Sequence, residues 1–337
     1  MVIKATIAKA HCDAYTLSLR CGEHEECSGF MIDQRNLLWG AFLLVAASLS
    51  WGGMFPVAKS TLAVMDGFHM TAIRYGVTAV VFLVILAIVE GRAALNPGSL
   101  GWKTFLYGSA GFAGFSLLAF VGLSLSRPDH AAIIMTLQTP MTAFANWWLR
   151  GVRPPRFTLV CITFVLVGAL LVVTKGSPAA VMSDGYALGD TLIFFGAASW
   201  VIYTLGSASF PTWSPLRYTA LTCALGVVSV FALTGIATAA GYLKTPTLAD
   251  VMAVRWHMAY MIVFASIIAV LAWNAGIRLM GALNATLTAN LVPITVFAIG
   301  LAQGQRFQPV EIAGAAMVVG ALVANNRYQR RAARSNV

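Results

Sequence analysis

Charge is what this chain has least of. Of its 337 residues, 12 are Asp or Glu and 22 are Lys or Arg, so 10% are charged. A soluble domain carries roughly a quarter. That deficit excludes an ordinary globular protein. Cysteine is also sparse. The five cysteines are too scattered for a disulfide framework, and no CxxC or HxxxH spacing joins Cys12, Cys21 and Cys27 to His11 and His24 in the polar tail, so no metal site is expected. Cys161 and Cys223 fall in apolar runs and read as small packing residues. No phosphate-binding loop is present, so ATP drive is unsupported and no cofactor is expected. The apolar runs hold no cluster of His, Asp or Glu of the kind an intramembrane transferase needs, which leaves that reading without a nucleophile or an acid–base pair.

What is abundant is apolar sequence: 59% of residues are hydrophobic and mean hydropathy is +0.79. It comes in runs of about 20 residues, the length that crosses a hydrocarbon core. Ten spans are expected, near 37–57, 69–89, 103–124, 129–149, 157–174, 186–206, 215–239, 256–278, 282–303 and 309–326. The net charge of +10 would suggest nucleic acid in a soluble protein, but here Lys and Arg lie between the runs and at the C-terminus, where membrane topology explains them. With the N-terminus inside, twelve span-flanking Lys and Arg fall on the inner side and six on the outer, so both termini are expected in the cytoplasm. Residues 1–36 form a polar tail, expected to be disordered or to lie upstream of a true start at Met31, and residues 327–337 form a basic tail. Thr247-Leu-Ala-Asp250 has the capping-box pattern, and with Arg255-Trp256 after it suggests a short interfacial helix.

One stretch occurs twice. Residues 281–297 hold Asn290 and Pro293 in the middle of an apolar span, and residues 129–144 hold Gln138 and Pro140 in another. A helical proline lacks an amide donor and displaces the carbonyl four residues earlier, here Ala289 and Thr136. In lipid such a break is tolerated where it faces protein or a wet cavity. Interrupted, polar-centred spans at matching places in two halves mark a substrate path. The alternative is interhelical hydrogen bonding by Ser, Thr and Asn. Other pairs match as well: Ser50-Trp51 with Ser199-Trp200, and Val167-Gly-Ala-Leu170 with Val319-Gly-Ala-Leu322. The fold expected is therefore an all-α membrane protein of ten transmembrane helices, in two five-helix repeats (37–176 and 186–326) that an odd span count makes inverted.

Only Arg74 places a charge clearly within a span. It could hold a substrate carboxylate by paired hydrogen bonds, or snorkel to the headgroups. Asp129, Asp190 and Glu311 sit near helix starts, where capping explains them. Trp51, Phe55, Trp200, Tyr203 and Trp273 lie within spans, and with Gln138, Asn274 and Asn290 they could line a cavity for a small amphiphile; the alternative for each ring is ordinary packing. Trp102, Trp213 and Trp256 read as interfacial-belt residues. Glycines in spans three and ten read as close-packing positions, and spans five and ten are a candidate homodimer contact.

Trp51-Gly-Gly-Met-Phe-Pro-Val-Ala-Lys59, Arg74-Tyr75, Gly189-Asp190, Trp273-Asn-Ala-Gly-Ile277 and Asn290-Leu-Val-Pro-Ile294 resemble the EamA-type members of the drug/metabolite transporter superfamily. The likeness covers residues 37–326. It implies a ten-helix carrier in the plasma (inner) membrane, exporting amino acids or related small metabolites, with multidrug and nucleotide-sugar carriers as alternatives within the superfamily. The partners implied are a small-molecule substrate and the bilayer. Two positions depart from the family pattern: Val152 precedes Arg153 and Gln305 precedes Arg306 where a Glu is frequent, which puts a carboxylate role at those corners in doubt.

Overall fold

The computed structural model describes residues 34–151, 153–177, 185–280, 288 and 291–335. The expectations placed on residues 1–33, and the start at Met31, lie outside them.

Among the described residues the chain is helical throughout: α1 (Gln34–Leu62), α2 (Gly67–Val89), α3 (Gly101–Gly108) and α4 (Phe115–Ser124). There follow α5 (Pro128–Thr136), α6 (Gln138–Arg150), α7 (Arg156–Thr174), α8 (Ala187–Gly206) and α9 (Pro215–Ala239). The chain ends with α10 (Leu248–Ala253), α11 (Arg255–Tyr260), α12 (Ala269–Met280), α13 (Leu291–Ala302) and α14 (Pro309–Ser335). Two π-helical stretches, Ser109–Gly114 between α3 and α4 and Met261–Ile268 between α11 and α12, make one continuous rod of each flanking pair.

Among the described residues seven helices are long and apolar enough to cross a membrane, and α13 and the Pro309–Asn325 part of α14 are shorter apolar helices. The fourth expected span falls short because it is broken. The helix stops at Thr136 and restarts at Gln138, and Thr136 is the residue whose carbonyl the Pro140 ring displaces. Pro140 and Pro293 are both buried, so each turns into protein.

Helix ends follow local chemistry. Asp66 caps α2 by accepting from the Phe68 and His69 amides at 2.9 and 3.0 Å, and Ser214 caps α9 through the Arg217 amide at 3.0 Å. The expected capping box forms on α10: Thr247 Oγ1 accepts from the Asp250 amide at 3.2 Å and Asp250 accepts from the Thr247 amide at 2.8 Å. The Thr247 amide and hydroxyl, both donating to Asp250 Oδ2, hold its carboxyl below the usual carboxylate range. Trp102 and Trp256 are exposed as belt residues should be, whereas Trp213 is half-buried against Phe210.

Packing has a regular pattern. α1 lies against α12, α13 and the second π-stretch; α8 lies against α4, α6 and the first. α2 meets the second π-stretch and α9 meets the first, while α2 meets α9 and α7 meets α14. The α7–α14 contact runs through two glycines: a Cβ on Gly168 would stand 2.7 Å from the Gly314 carbonyl oxygen, and the reverse distance is also 2.7 Å. The small-residue faces of spans five and ten thus meet inside one chain. Large apolar side chains such as Val80, Ile88, Leu170 and Ile236 point outward, as a surface solvated by lipid requires.

Candidate functional site

The second π-stretch gathers the first group of candidate residues. A π-turn leaves its carbonyls poorly paired within the helix, which makes them available to side chains. The Trp51 indole N–H donates to the Ala265 carbonyl at 3.0 Å. One residue on, Ser266 Oγ donates to the Met261 carbonyl at 2.9 Å and accepts from Arg74 Nε at 2.7 Å. Trp273 packs on Trp51 with ring centroids 5.1 Å apart. Phe55, one turn along from Trp51, is 4% exposed and belongs to the core that also takes in Met258 and Ala265.

Arg74 is 3% exposed, enclosed by protein, which overturns the snorkelling alternative. Its guanidinium lies 4.7 Å from the Tyr75 ring centroid and 5.4 Å from that of Phe120. Among the described residues it makes no ion pair, and its Nη1 is buried without a hydrogen-bond partner. A buried guanidinium with an idle donor is costly unless an anion arrives to meet it.

The second group surrounds the first π-stretch. Trp200 packs on Phe115 at 5.0 Å and on Tyr203 at 5.0 Å, and Tyr203 stacks on Tyr218 at 5.2 Å. The Tyr218 hydroxyl donates to the Tyr203 carbonyl at 2.6 Å. Gly111 is the position that lets the Tyr203 ring in, since a Cβ there would stand 2.6 Å from it. A line of rings, Tyr75 to Phe112 at 5.1 Å and Phe112 to Tyr203 at 5.5 Å, connects this group to Arg74. Trp51 and Trp200, which match in the two halves of the sequence, therefore each meet the broken rod of the opposite half, Trp51 at Ala265 within the second π-stretch and Trp200 at Phe115 just past the first.

Gln138 is half-buried on α6 with Nε2 3.3 Å from Met135 Sδ, and Pro140, two residues on, is buried. The side chain of Asn274, and Asn290 altogether, lie outside the described residues. No sequence signal points to Ser266, Phe112 or either π-stretch, and Tyr75 stands out only as part of the Arg74-Tyr75 motif. Of the span-three glycines, Gly108 closes α3, and Gly111 and Gly114 fall inside the first π-stretch.

Of the three helix-start acids, one caps as expected and two do not. Glu311 does cap α14, accepting from the Gln308 amide at 2.6 Å. Asp129 and Asp190 do not cap: Asp129 pairs with Arg127 at 3.0 Å, and Asp190 accepts from Ser126 Oγ and His130 Nδ1 across the helix interface. An apolar groove of about 730 Å³ between α2 and α9, lined by His69, Gly76, Phe231 and Thr238 among others, includes neither Arg74 nor the candidate aromatic residues in its lining.

Comparison with known proteins adds to this geometry. The EamA-like transporter family model matches twice, over residues 38–174 and 187–327. The chain is 35% identical over 304 residues to the uncharacterized transporter YrdR of Bacillus subtilis (strain 168), covering 88% of this chain and 93% of the relative. It is 30% identical over 288 residues to the uncharacterized transporter YyaM of the same organism, covering 84% and 92%. A solved crystal structure 19% identical in sequence superposes with a TM-score of 0.62 over 87% of this chain and 98% of its own, a likeness of fold. With two matches that together take in most of a multi-pass helical chain, this protein belongs to the EamA-like transporter family of the drug/metabolite transporter superfamily, and is a transporter rather than an enzyme.

Proposed function

We propose that the protein is a secondary carrier that exports a small amphiphilic metabolite with a carboxylate, an amino acid or a close relative, across the plasma membrane by alternating access. The observation that carries this reading is Arg74: a guanidinium 3% exposed, without an ion-pair partner among the described residues, set among rings. Its paired donors suit a carboxylate, while Tyr75, Phe112, Tyr203 and the Trp51–Trp273 pair supply apolar walls. A single guanidinium is too little charge for a multiply phosphorylated substrate, which disfavours a nucleotide-sugar carrier. Gln138, Asn274 and Asn290 are proposed to add hydrogen bonds, and the Pro140 and Pro293 breaks to free carbonyls toward the same path.

The mechanism proposed uses ten helices as two inverted five-helix repeats. In support, contacts exchange when the halves exchange: α1 on α12 and α13 answers α8 on α4 and α6, and α2 on the second π-stretch answers α9 on the first. Such halves can rock about a central substrate and open each side in turn. Both termini are proposed to be cytoplasmic. A homodimer through α7 and α14 would have to use their outer faces, since Gly168 and Gly314 already meet each other. The test is uptake into proteoliposomes across a panel of amino acids and nucleotides, with and without a pH gradient. Saturable counterflow of a carboxylate-bearing solute is expected; transport of neutral or phosphorylated compounds alone refutes the substrate class.

A further inference from the structure

Away from Arg74, at the end of the molecule where α5, α8 and α14 begin, three acids and a histidine come together. Asp129, His130, Asp190 and Glu311 are 1%, 0%, 7% and 1% exposed. Ligand atoms of Asp129, His130 and Glu311 lie within 4.8 Å of one another. His130 Nδ1 is 3.0 Å from Asp190 Oδ2, and the other oxygen of Asp190 accepts from Ser126 Oγ. An ionised carboxylate can only accept, so the ring proton sits on Nδ1 and Nε2 of the neutral imidazole presents a lone pair. That Nε2 is buried and has no hydrogen-bond partner among the described residues. Asp129 Oδ2 and Glu311 Oε1 also lack hydrogen bonds, with the Arg127 guanidinium at 3.0 and 3.4 Å as their ion-pair neighbour. Asp129 and Glu311 thus share one guanidinium while Asp190 is turned to Ser126 and His130, and the Lys175 ammonium lies 5.8 Å from the centroid of the Tyr186 ring that packs on His130 at 5.7 Å. The nearby Lys59 ammonium is directed to the Leu123, Ser124 and Ser126 carbonyls.

We propose that Asp129, His130 and Glu311 bind one divalent first-row transition cation. The donor set, two carboxylate oxygens and one imidazole nitrogen, suits Zn²⁺, Mn²⁺, Fe²⁺ or Co²⁺ and lacks the thiolate a soft ion prefers. Asp190 supplies what such sites ordinarily carry, a carboxylate on the far nitrogen that fixes the tautomer and aims the ring. Bonds of about 2.0–2.2 Å in a tetrahedral site put ligand atoms about 3.3–3.6 Å apart, so closure from a widest edge of up to 4.8 Å needs side-chain rotations that draw the ligand atoms together by up to about 1.4 Å. Arg127 stays as a counter-charge on the outer lone pairs of Asp129 and Glu311. Asp129 and His130 lie in the first family match and Asp190 and Glu311 in the second, so the ion would fasten the two halves together at this end. The site depends on no assumption about what the carrier moves.

The test uses the full chain purified in detergent, carrying Cys12→Ser, Cys21→Ser and Cys27→Ser to remove the thiols of the tail. After EDTA treatment it is titrated with Co²⁺, read by visible absorption, and with Zn²⁺, read by calorimetry. One ion per chain is expected, with weak d–d bands and no sulfur-to-cobalt charge transfer. Asp190→Asn should weaken binding about 10- to 100-fold by releasing the ring. His130→Gln and Glu311→Gln should abolish it, and His69→Gln should leave it unchanged. Should His130→Gln not elute as a single species, Glu311→Gln and Asp190→Asn decide. Sub-stoichiometric uptake, or uptake that none of these three substitutions alters, overturns the proposal and leaves the cluster as an ion-paired, proton-holding contact.

Discussion

Replacing Arg74 with methionine should separate function from stability. The substitution removes the Arg74 Nε–Ser266 Oγ hydrogen bond of 2.7 Å, worth about 1.5–3 kcal/mol for a charged donor, and cation–π contacts of up to about 2 kcal/mol. Against that, it relieves the burial of a charge whose Nη1 has no partner, a penalty of several kcal/mol. The two sides nearly cancel. The melting temperature of Arg74→Met in detergent should therefore stay within about 2 °C of the parent, the shift that about 1 kcal/mol produces at an unfolding entropy of about 2.1 cal/mol/K per residue. Binding should respond quite differently. Truncating one partner of a buried charge pair costs about 2–5 kcal/mol, so the substrate carboxylate should be held about 30-fold to several thousand-fold more weakly. Arg74→Lys keeps the charge but not the planar fork, and should fall between. The assay is counterflow of labelled amino acid in proteoliposomes, paired with thermal denaturation by intrinsic fluorescence. Unchanged apparent affinity together with a fall in melting temperature above about 5 °C would make Arg74 a structural residue and refute the reasoning.

Trp273→Ala should abolish the tryptophan-fluorescence response to substrate, whereas Trp102→Ala, at an exposed position, should preserve it; equal responses in both would remove the Trp51–Trp273 pair from the site. Gly314→Val places a Cβ 2.7 Å from the Gly168 carbonyl oxygen, and overpacking of this kind should destabilise by about 1–3 kcal/mol in thermal denaturation; no change would mean that α7 and α14 pack loosely. The Asp250 carboxyl is held below its usual range by the Thr247 amide, so its capping contribution is complete above the unfolded-state value of 3.8 and is lost as pH falls through the lowered one. Hydrogen exchange of the α10 amides should accelerate over that interval, and Asp250→Asn should flatten the response.

The sequence by itself determined the class of protein. Long uncharged runs leave no alternative to helices that satisfy their own backbone, and each cap and proline acts within a few residues of where it stands, so the α10 capping box, the break before Pro140 and the matched halves could all be read in one dimension. The lone charge of Arg74 was visible for the same reason: in an apolar run a guanidinium stands out. Tertiary structure alone decided what those residues meet. Ser266 lies 192 residues from Arg74 and Ala265 lies 214 from Trp51, and only the packing of α1 and α2 on the second π-stretch joins them. Asp129 and Asp190 had every local reason to cap their own helices, yet helix starts distant in sequence converge at one end, and there the stronger partners are an arginine, a serine and a histidine. Charges act through space over several ångströms, whereas a sequence pattern records only neighbours along the chain, so the acidic cluster became legible only when α5, α8 and α14 were brought together.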